Sequence, residues 1–253
     1  NFDHGSLEDF FQQFREKLIK DHYDNTNRQI LLIGIAYGMI YLHQHQIIHR
    51  NLNPSNILLD DMLHPIITGF GFSKQIEKDY SIFKYGNPMY LAPEIIEGSS
   101  YNEKVDVYSF GILMYEIITN SVPYPEFHEG KMTEQKLKQE VIDKDYRPVF
   151  KTPVKKSIQK LIEKCWSKDS SERPTFEELF RNLAYNRENP IKDIFKKIEE
   201  EEFVENKFYI DGVDIEKVVS YANQLKIEAM DEQINDFKSK NDEIKEKIDQ
   251  AER

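Results

Sequence analysis

Two stretches of this chain are apolar on nearly every face, and they limit what it can fold into. Ile30 to Leu42 and Val105 to Thr119 (VDVYSFGILMYEIIT) have the length of helices, but neither shows the single stripe of a surface helix. A helix with no polar face has to be enclosed, so two of them predict a helical body with layers packed on several sides. The first run holds 13 residues, against the roughly 20 that a membrane-crossing helix needs, so both are expected in a protein core rather than a bilayer.

Other segments arrange themselves around that core. SLEDFFQQFREKLIK (residues 6 to 20) opens with a capping serine and spaces Leu7, Phe10, Phe11, Phe14 and Leu18 as one helical stripe. Asn25 to His45 reads as the helix carrying the first apolar run. Ile57 to Leu59 and Pro65 to Thr68 are short β-type runs around Asp60 and Asp61, which predicts a hairpin. Thr175 and Glu178 form a T-x-x-E capping box at the start of a late helix. Beyond residues 186 to 190 the prolines stop and the charges intermix, with an acidic run from Glu199 to Glu202. The domain boundary is therefore expected there, giving a lobe over 1–185 and a charged helical tail over 186–253.

Charge and cysteine content narrow the function classes. With 34 Lys and Arg against 45 Asp and Glu the formal charge is -11, which disfavours nucleic acid as a partner. The single cysteine, Cys165, has no internal disulfide partner and reads as a buried thiol in a reducing, intracellular (cytoplasmic) setting. His43, His45 and His49 do not share a helix face, so a metal cluster is not expected from them.

Six ordered segments carry a resemblance. GSLEDF, YLHQHQIIHRNLNPSNILLD, TGFGFSK, GNPMYLAPE, DVYSFGILMYEIIT and KCWSKDSSERPTFEEL follow the order and spacing of the C-terminal lobe of eukaryotic protein kinases, from Gly5 to about Tyr185. The GNPMYLAPE wording and the RPTF ending resemble the tyrosine-kinase-like branch of the serine/threonine kinases. The resemblance implies a mainly α fold: the helical lobe of an α+β protein-kinase-like fold, with short β-hairpins and a helical tail after it. The family's phosphate loop lies upstream of the position matched by Gly5, so the N-terminal lobe is expected to be absent from this chain.

At the chemical positions the match departs from the family. In the pattern H-R-D-x-x-x-x-N, His49, Arg50 and Asn56 agree, but the base position is Asn51, an amide unable to take a proton near neutral pH. The phosphate-binding lysine position is Asn53. Where the family has D-F-G the chain has Gly69, Phe70 and Gly71, so the metal-binding carboxylate is missing. Leu58 matches the floor of the nucleotide cleft. The framework positions agree: His49 and Phe70 in a stacked column, Asp106 supporting the loop backbone, and Glu94 with Arg173 as an ion pair. Ser73, Tyr80, Ser81 and Tyr85 lie where the family's activation segment is phosphorylated, and a solvated loop is the plainer expectation for them.

Three functions are compatible with this pattern: a catalytically impaired, pseudokinase-type binding or scaffold module; the C-lobe of an active or weakly active serine/threonine kinase completed outside this chain; or an assembly element working through the tail. No cofactor is expected with this chain, with ATP and Mg²⁺ entering only if an N-terminal lobe exists upstream. Protein partners are expected at the lobe surface or the tail, and neither nucleic acid nor a membrane. In the tail, Ile227, Met230, Ile234, Phe237, Asn241, Ile244, Ile248 and Ala251 alternate spacings of three and four, a heptad seam over 227–251 with Asn241 at an a position. A homodimer or a different partner helix would satisfy it, since Lys226 with Asp231 and Lys247 with Glu252 would attract in a parallel pair while Lys240 with Lys245 would repel. The expected outcome is concentration-dependent association through 227–251, strengthened by Asn241→Ile. Sedimentation of the intact chain beside a version ending at Gln224 checks it, and monomers in both cases sink the homodimer.

Overall fold

A computed structural model describes residues 5–18, 23–75, 86–184, 210, 212–214 and 216–228. The two all-round apolar stretches become α2 (Asn25–Gln44) and α4 (Lys104–Thr119), and they are the centre of the lobe. Leu31, Leu32, Ile33 and Ile35 of α2 and Val107, Ile112, Leu113 and Ile117 of α4 are completely enclosed. Around them pack α1 (Leu7–Arg15), α3 (Pro93–Glu97), α7 (Lys156–Cys165) and α8 (Phe176–Ala184), while α5 (Pro125–His128) and α6 (Glu134–Asp143) contribute to a second, smaller cluster beside α3. α2 lies between α8, α4 and the small sheets, and α7 covers α4.

Local chemistry sets the helix ends. Ser6 and Asp9 form a reciprocal capping box on α1, Asp24 and Asn27 do the same on α2, and Thr175 with Glu178 caps α8 as its T-x-x-E spacing predicts. The expected first helix stops early. Its chain turns left-handed at Lys17 (φ 58°), leaving Leu18 67% exposed, so Leu18 does not belong to the buried stripe formed by Leu7, Phe10 and Phe11. Among the described residues, four short strands complete the lobe. β1 (Ile47–Ile48) pairs antiparallel with β4 (Lys74–Gln75), and β2 (Ile57–Leu59) pairs with β3 (Pro65–Ile67) in the register Ile57↔Ile67, Leu58↔Ile66, Leu59↔Pro65. Between β2 and β3, Asp60 Oδ1 accepts from the backbone amides of Met62 (2.9 Å) and His64 (2.7 Å), which is why an aspartate turns this hairpin.

A further helix, residues 216–228, returns to the lobe and packs on α2, with Val218 and Ala222 fully buried. It falls within the stretch assigned to the tail by composition. Ile227, first residue of the heptad seam, points away and is 61% exposed; the rest of the seam lies outside the described residues. The Nζ of Lys226 is enclosed, without a hydrogen-bond partner among the described residues, and burial pushes its pKa down to about 8; Asp231, with which it was expected to pair, lies outside the described residues. Among the described residues no helix is long and apolar enough to cross a membrane. Cys165 is buried under α4 against Gly111, and burial pushes its thiol well above the usual range, leaving it protonated and inert.

Two enclosed charges hold layers together. Arg173, 1% exposed, forms a two-pronged pair with Glu94 (2.5 and 2.9 Å) and donates to the carbonyls of Ser167 and Lys104. Asp106, fully buried, accepts two backbone amides from the loop after β1. Removing one partner of such a buried set costs roughly 3–5 kcal/mol. Arg173→Ala and Asp106→Ala are therefore expected to melt about 6–20 °C below the parent, at ~2–4 °C per kcal/mol for a domain of this size. Asn51→Ala is expected to stay within a few degrees, because Asn53 keeps a bond to the Asn51 carbonyl. Thermal melts of the three variants check this, and equal shifts would overturn it.

Candidate functional site

The loop from His49 to Asn56 is built from Asp106 outward. Asp106 Oδ2 accepts from the His49 amide (2.8 Å) and Oδ1 from the Arg50 amide (2.7 Å). His43, near the C-terminal end of α2, places its Nε2 2.9 Å from Asp106 Oδ2 and turns its ring edge toward Phe176. This satisfies a carboxylate with no access to water and forces Arg50 into a left-handed backbone conformation (φ 65°). Arg50 then reaches out, donating from Nε to the Phe72 carbonyl (2.6 Å) and from Nη1 to the Tyr101 hydroxyl (3.3 Å).

His49 ties the loop to β3. Its Nε2 donates to the Thr68 carbonyl (2.7 Å), which leaves Nδ1 to accept from the Asn51 amide (3.3 Å). The His49 ring meets Phe70 at 5.4 Å and 66°, an edge contact. Phe70 itself is 50% exposed. Leu58 sits half-buried on β2, bridged to Ser6, while the Leu59 amide donates to the Gly5 carbonyl (3.1 Å).

The three asparagines form one cluster. Asn53 Nδ2 donates to both the carbonyl and Oδ1 of Asn51 (2.9 Å each), and its Oδ1 accepts from the Ser55 amide (3.0 Å), capping the 3-10 turn Pro54–Asn56. Asn53 is 3% exposed. At the position expected for a phosphate-binding lysine, then, the chain has a buried capping amide. Asn56 Nδ2 donates to the Asn51 carbonyl (2.7 Å), and Asn56 also anchors β3, its carbonyl accepting from the Thr68 amide (2.9 Å).

Gly69 stands opposite this cluster in a left-handed conformation (φ 81°). A Cβ at Gly69 would overlap Asn56 Oδ1 and Cγ, so the side-chain amide of Asn56 fills the space that a residue-69 side chain would take. This corner fits Mg²⁺ poorly: among Asn51, Asn53, Asn56 and Gly69 there is no carboxylate, and Asn53 and Asn56 direct their amide N–H groups to Oδ1 and the carbonyl of Asn51. Among the described residues no group of three or more His, Cys, Asp or Glu comes together either. His43, His45 and His49 face Asp106, the Tyr41 carbonyl and the Thr68 carbonyl respectively.

Two features were not singled out in the sequence. One is His43 on Asp106, whose separation of 63 positions leaves no local spacing to read. The other is Glu116 on α4, buried between Arg15 Nη2 (2.5 Å) and the Tyr90 hydroxyl, which donates to it. Burial raises the pKa of Glu116, and those two donors oppose the rise. The trio fastens the loop before α3 to α1 and α4. Of the activation-segment hydroxyls, Ser73 is inward, its Oγ enclosed without a partner among the described residues, while Tyr80, Ser81 and Tyr85 lie outside the described residues.

Comparison with known proteins agrees with this frame. Residues 1–183 match the family described as protein tyrosine and serine/threonine kinase. The dual specificity protein kinase pyk3 of Dictyostelium discoideum is 38% identical over 164 residues, 65% of this chain and 12% of that protein. A putative serine/threonine-protein kinase/receptor of Acanthamoeba polyphaga mimivirus is 36% identical over 160 residues, 62% of this chain and 10% of its own length. A probable serine/threonine-protein kinase of Dictyostelium discoideum is 35% identical over 180 residues, 71% of this chain and 19% of its own length. The chain thus spans between a tenth and a fifth of these relatives. The match over residues 1–183, carried by the same loop, hairpin and buried helices that form the lobe, makes this chain a member of the protein tyrosine and serine/threonine kinase family.

Proposed function

We propose that this lobe is a pseudokinase-type module: a kinase frame that binds protein partners in signalling and does not transfer phosphate itself. The observation that carries the reading is the amide cluster. Phosphoryl transfer needs metal held on the phosphates and an acceptor for the hydroxyl proton. Asn51 has no carboxylate to offer, Asn53 is turned into the loop as a cap, and Asn56 occupies the space beside Gly69. Loss of the general base alone is worth a factor of ~10²–10⁴.

Partners would meet the exposed lobe surface, the outward face of the tail, or both. Ile227, exposed on the side opposite Val218 and Ala222, favours the tail as an assembly element, as a homodimer or with another helix. A second reading, the C-lobe of an active or weakly active serine/threonine kinase completed by a segment outside this chain, is favoured by the intact seating of His49 and Arg50 on Asp106. In that case ATP and Mg²⁺ would be the cofactors.

The two readings separate in one assay. The full chain, given labelled ATP with Mg²⁺ or Mn²⁺ and a generic protein acceptor, is expected to transfer no phosphate above background. Asn51→Asp and Gly69→Asp, made singly, are expected to stay at background as well, the second because its side chain meets Asn56. Metal-dependent transfer by the parent chain that disappears in Asn56→Ala would establish the active reading instead.

A further inference from the structure

The helix over residues 216–228 does not merely lie near the lobe. It fills a groove that α2 and the β2–β3 hairpin form together. Gly34 is the floor of that groove: a Cβ there would overlap the Tyr221 hydroxyl and come within 2.6 Å of the Pro65 ring. Gly38, one turn on, admits Ile67 in the same way (2.7 Å to its Cδ1). Two missing side chains on one face of α2 thus let the hairpin settle against the helix, and at Gly34 they admit the returning segment too. Tyr221 stacks on His64 at the hairpin turn (4.5 Å, 21°).

Backbone bonds align the approach. The Ile210 amide donates to Gln29 Oε1 (3.2 Å), while Gln29 Nε2 donates to the Leu183 carbonyl (2.8 Å) at the end of α8. The Asp214 amide donates to Thr26 Oγ1 (3.0 Å). Gln29 is fully buried and Thr26 nearly so, so these polar side chains inside the lobe find partners in the returning segment. Without residues 210–214, Gln29 Oε1 would lose this donor.

We propose that the Gly34 face of α2 and the β2–β3 hairpin form a helix-docking groove, that its occupant is this chain's own 216–228 segment with the pattern Val-x-x-Tyr-Ala-x-x-Leu, and that occupancy sets the rigidity of the hairpin carrying Leu58. Tyr221 stacks on His64, the residue before Pro65; Pro65 pairs with Leu59, and Leu58 is the next residue on that strand. The contact is also displaceable. Lys226 buries its Nζ with no hydrogen-bond partner among the described residues, which opposes docking. A cavity of about 450 Å³ remains between Asn27 and Ile30 of α2, Met62 and His64 of the hairpin, and Ser220 and Gln224 of the docked helix. The proposal is independent of whether the lobe transfers phosphate.

Hydrogen–deuterium exchange on the full chain tests it, comparing the parent with Ala222→Glu, which places a charge at a fully buried point of the docked helix. Amides of 216–228 and of β2–β3 are expected to exchange about ten-fold faster or more in the variant, with α4 unchanged, as a local opening requires. A free peptide of residues 210–228 should restore hairpin protection to that variant, and the same peptide carrying Ala222→Glu should not. Unchanged hairpin protection in the variant, or no rescue, overturns the proposal. If Ala222→Glu also exposes α4, Lys226→Met decides: slower exchange of 216–228 and of the hairpin supports the groove, and unchanged or faster exchange rejects it.

Discussion

Everything chemical about this lobe is positioned by one carboxylate. Asp106 sits fully buried on α4 and draws toward itself the amides of His49 and Arg50 and the imidazole of His43. A buried carboxylate that lost those donors would carry the desolvation cost uncompensated, so the loop has little freedom to leave. Because Asp106 fixes His49, His49 fixes Thr68 and meets Phe70; because it fixes Arg50, Arg50 reaches Phe72. The kinase frame is in this sense an electrostatic construction anchored in a hydrophobic helix, and it does not depend on the residues that would perform transfer.

That separation explains how the chemical positions can change without loss of the fold. Asn51, Asn53 and Asn56 hold each other, and Asn53 caps a short turn. An amide can both donate and accept, and here Asn53 does both while Asn56 donates to the Asn51 carbonyl, so the three are joined in a small network.

The sequence made the frame legible because its signals are local. Helices apolar on all faces, capping boxes at Ser6 and Thr175, and an aspartate turning a hairpin each act within a few residues. Asp106, Glu94 and Arg173 were readable only through the order of six matched segments, since nothing in their spacing joins Glu94 to Arg173 across 79 positions. Leu18 misled because the stripe continues past the point where Lys17 turns left-handed. The role of Asn53 as a cap was hidden because the family pattern marks that position by a charge. The return of 210–228 was hidden by composition: a charged, proline-free tail gives no sign that Val218, Tyr221 and Ala222 face a groove rather than water.

The glycine face of α2 also has a consequence for the order in which the molecule is made. Chains emerge N-terminal end first, at ~5–20 residues per second, so roughly 1–5 s separate the synthesis of Ala184 from that of Ile210. Until Ile210 has been made, Gln29 Oε1 lacks the amide that it accepts from in the finished fold, and the groove at Gly34 has no occupant of its own. Closing it brings together groups 181 positions apart in sequence, a contact that comes late in folding because its loop is long. Each new copy of the protein therefore passes through a stage in which this groove is open to any suitable helix nearby, before its own segment arrives to occupy it.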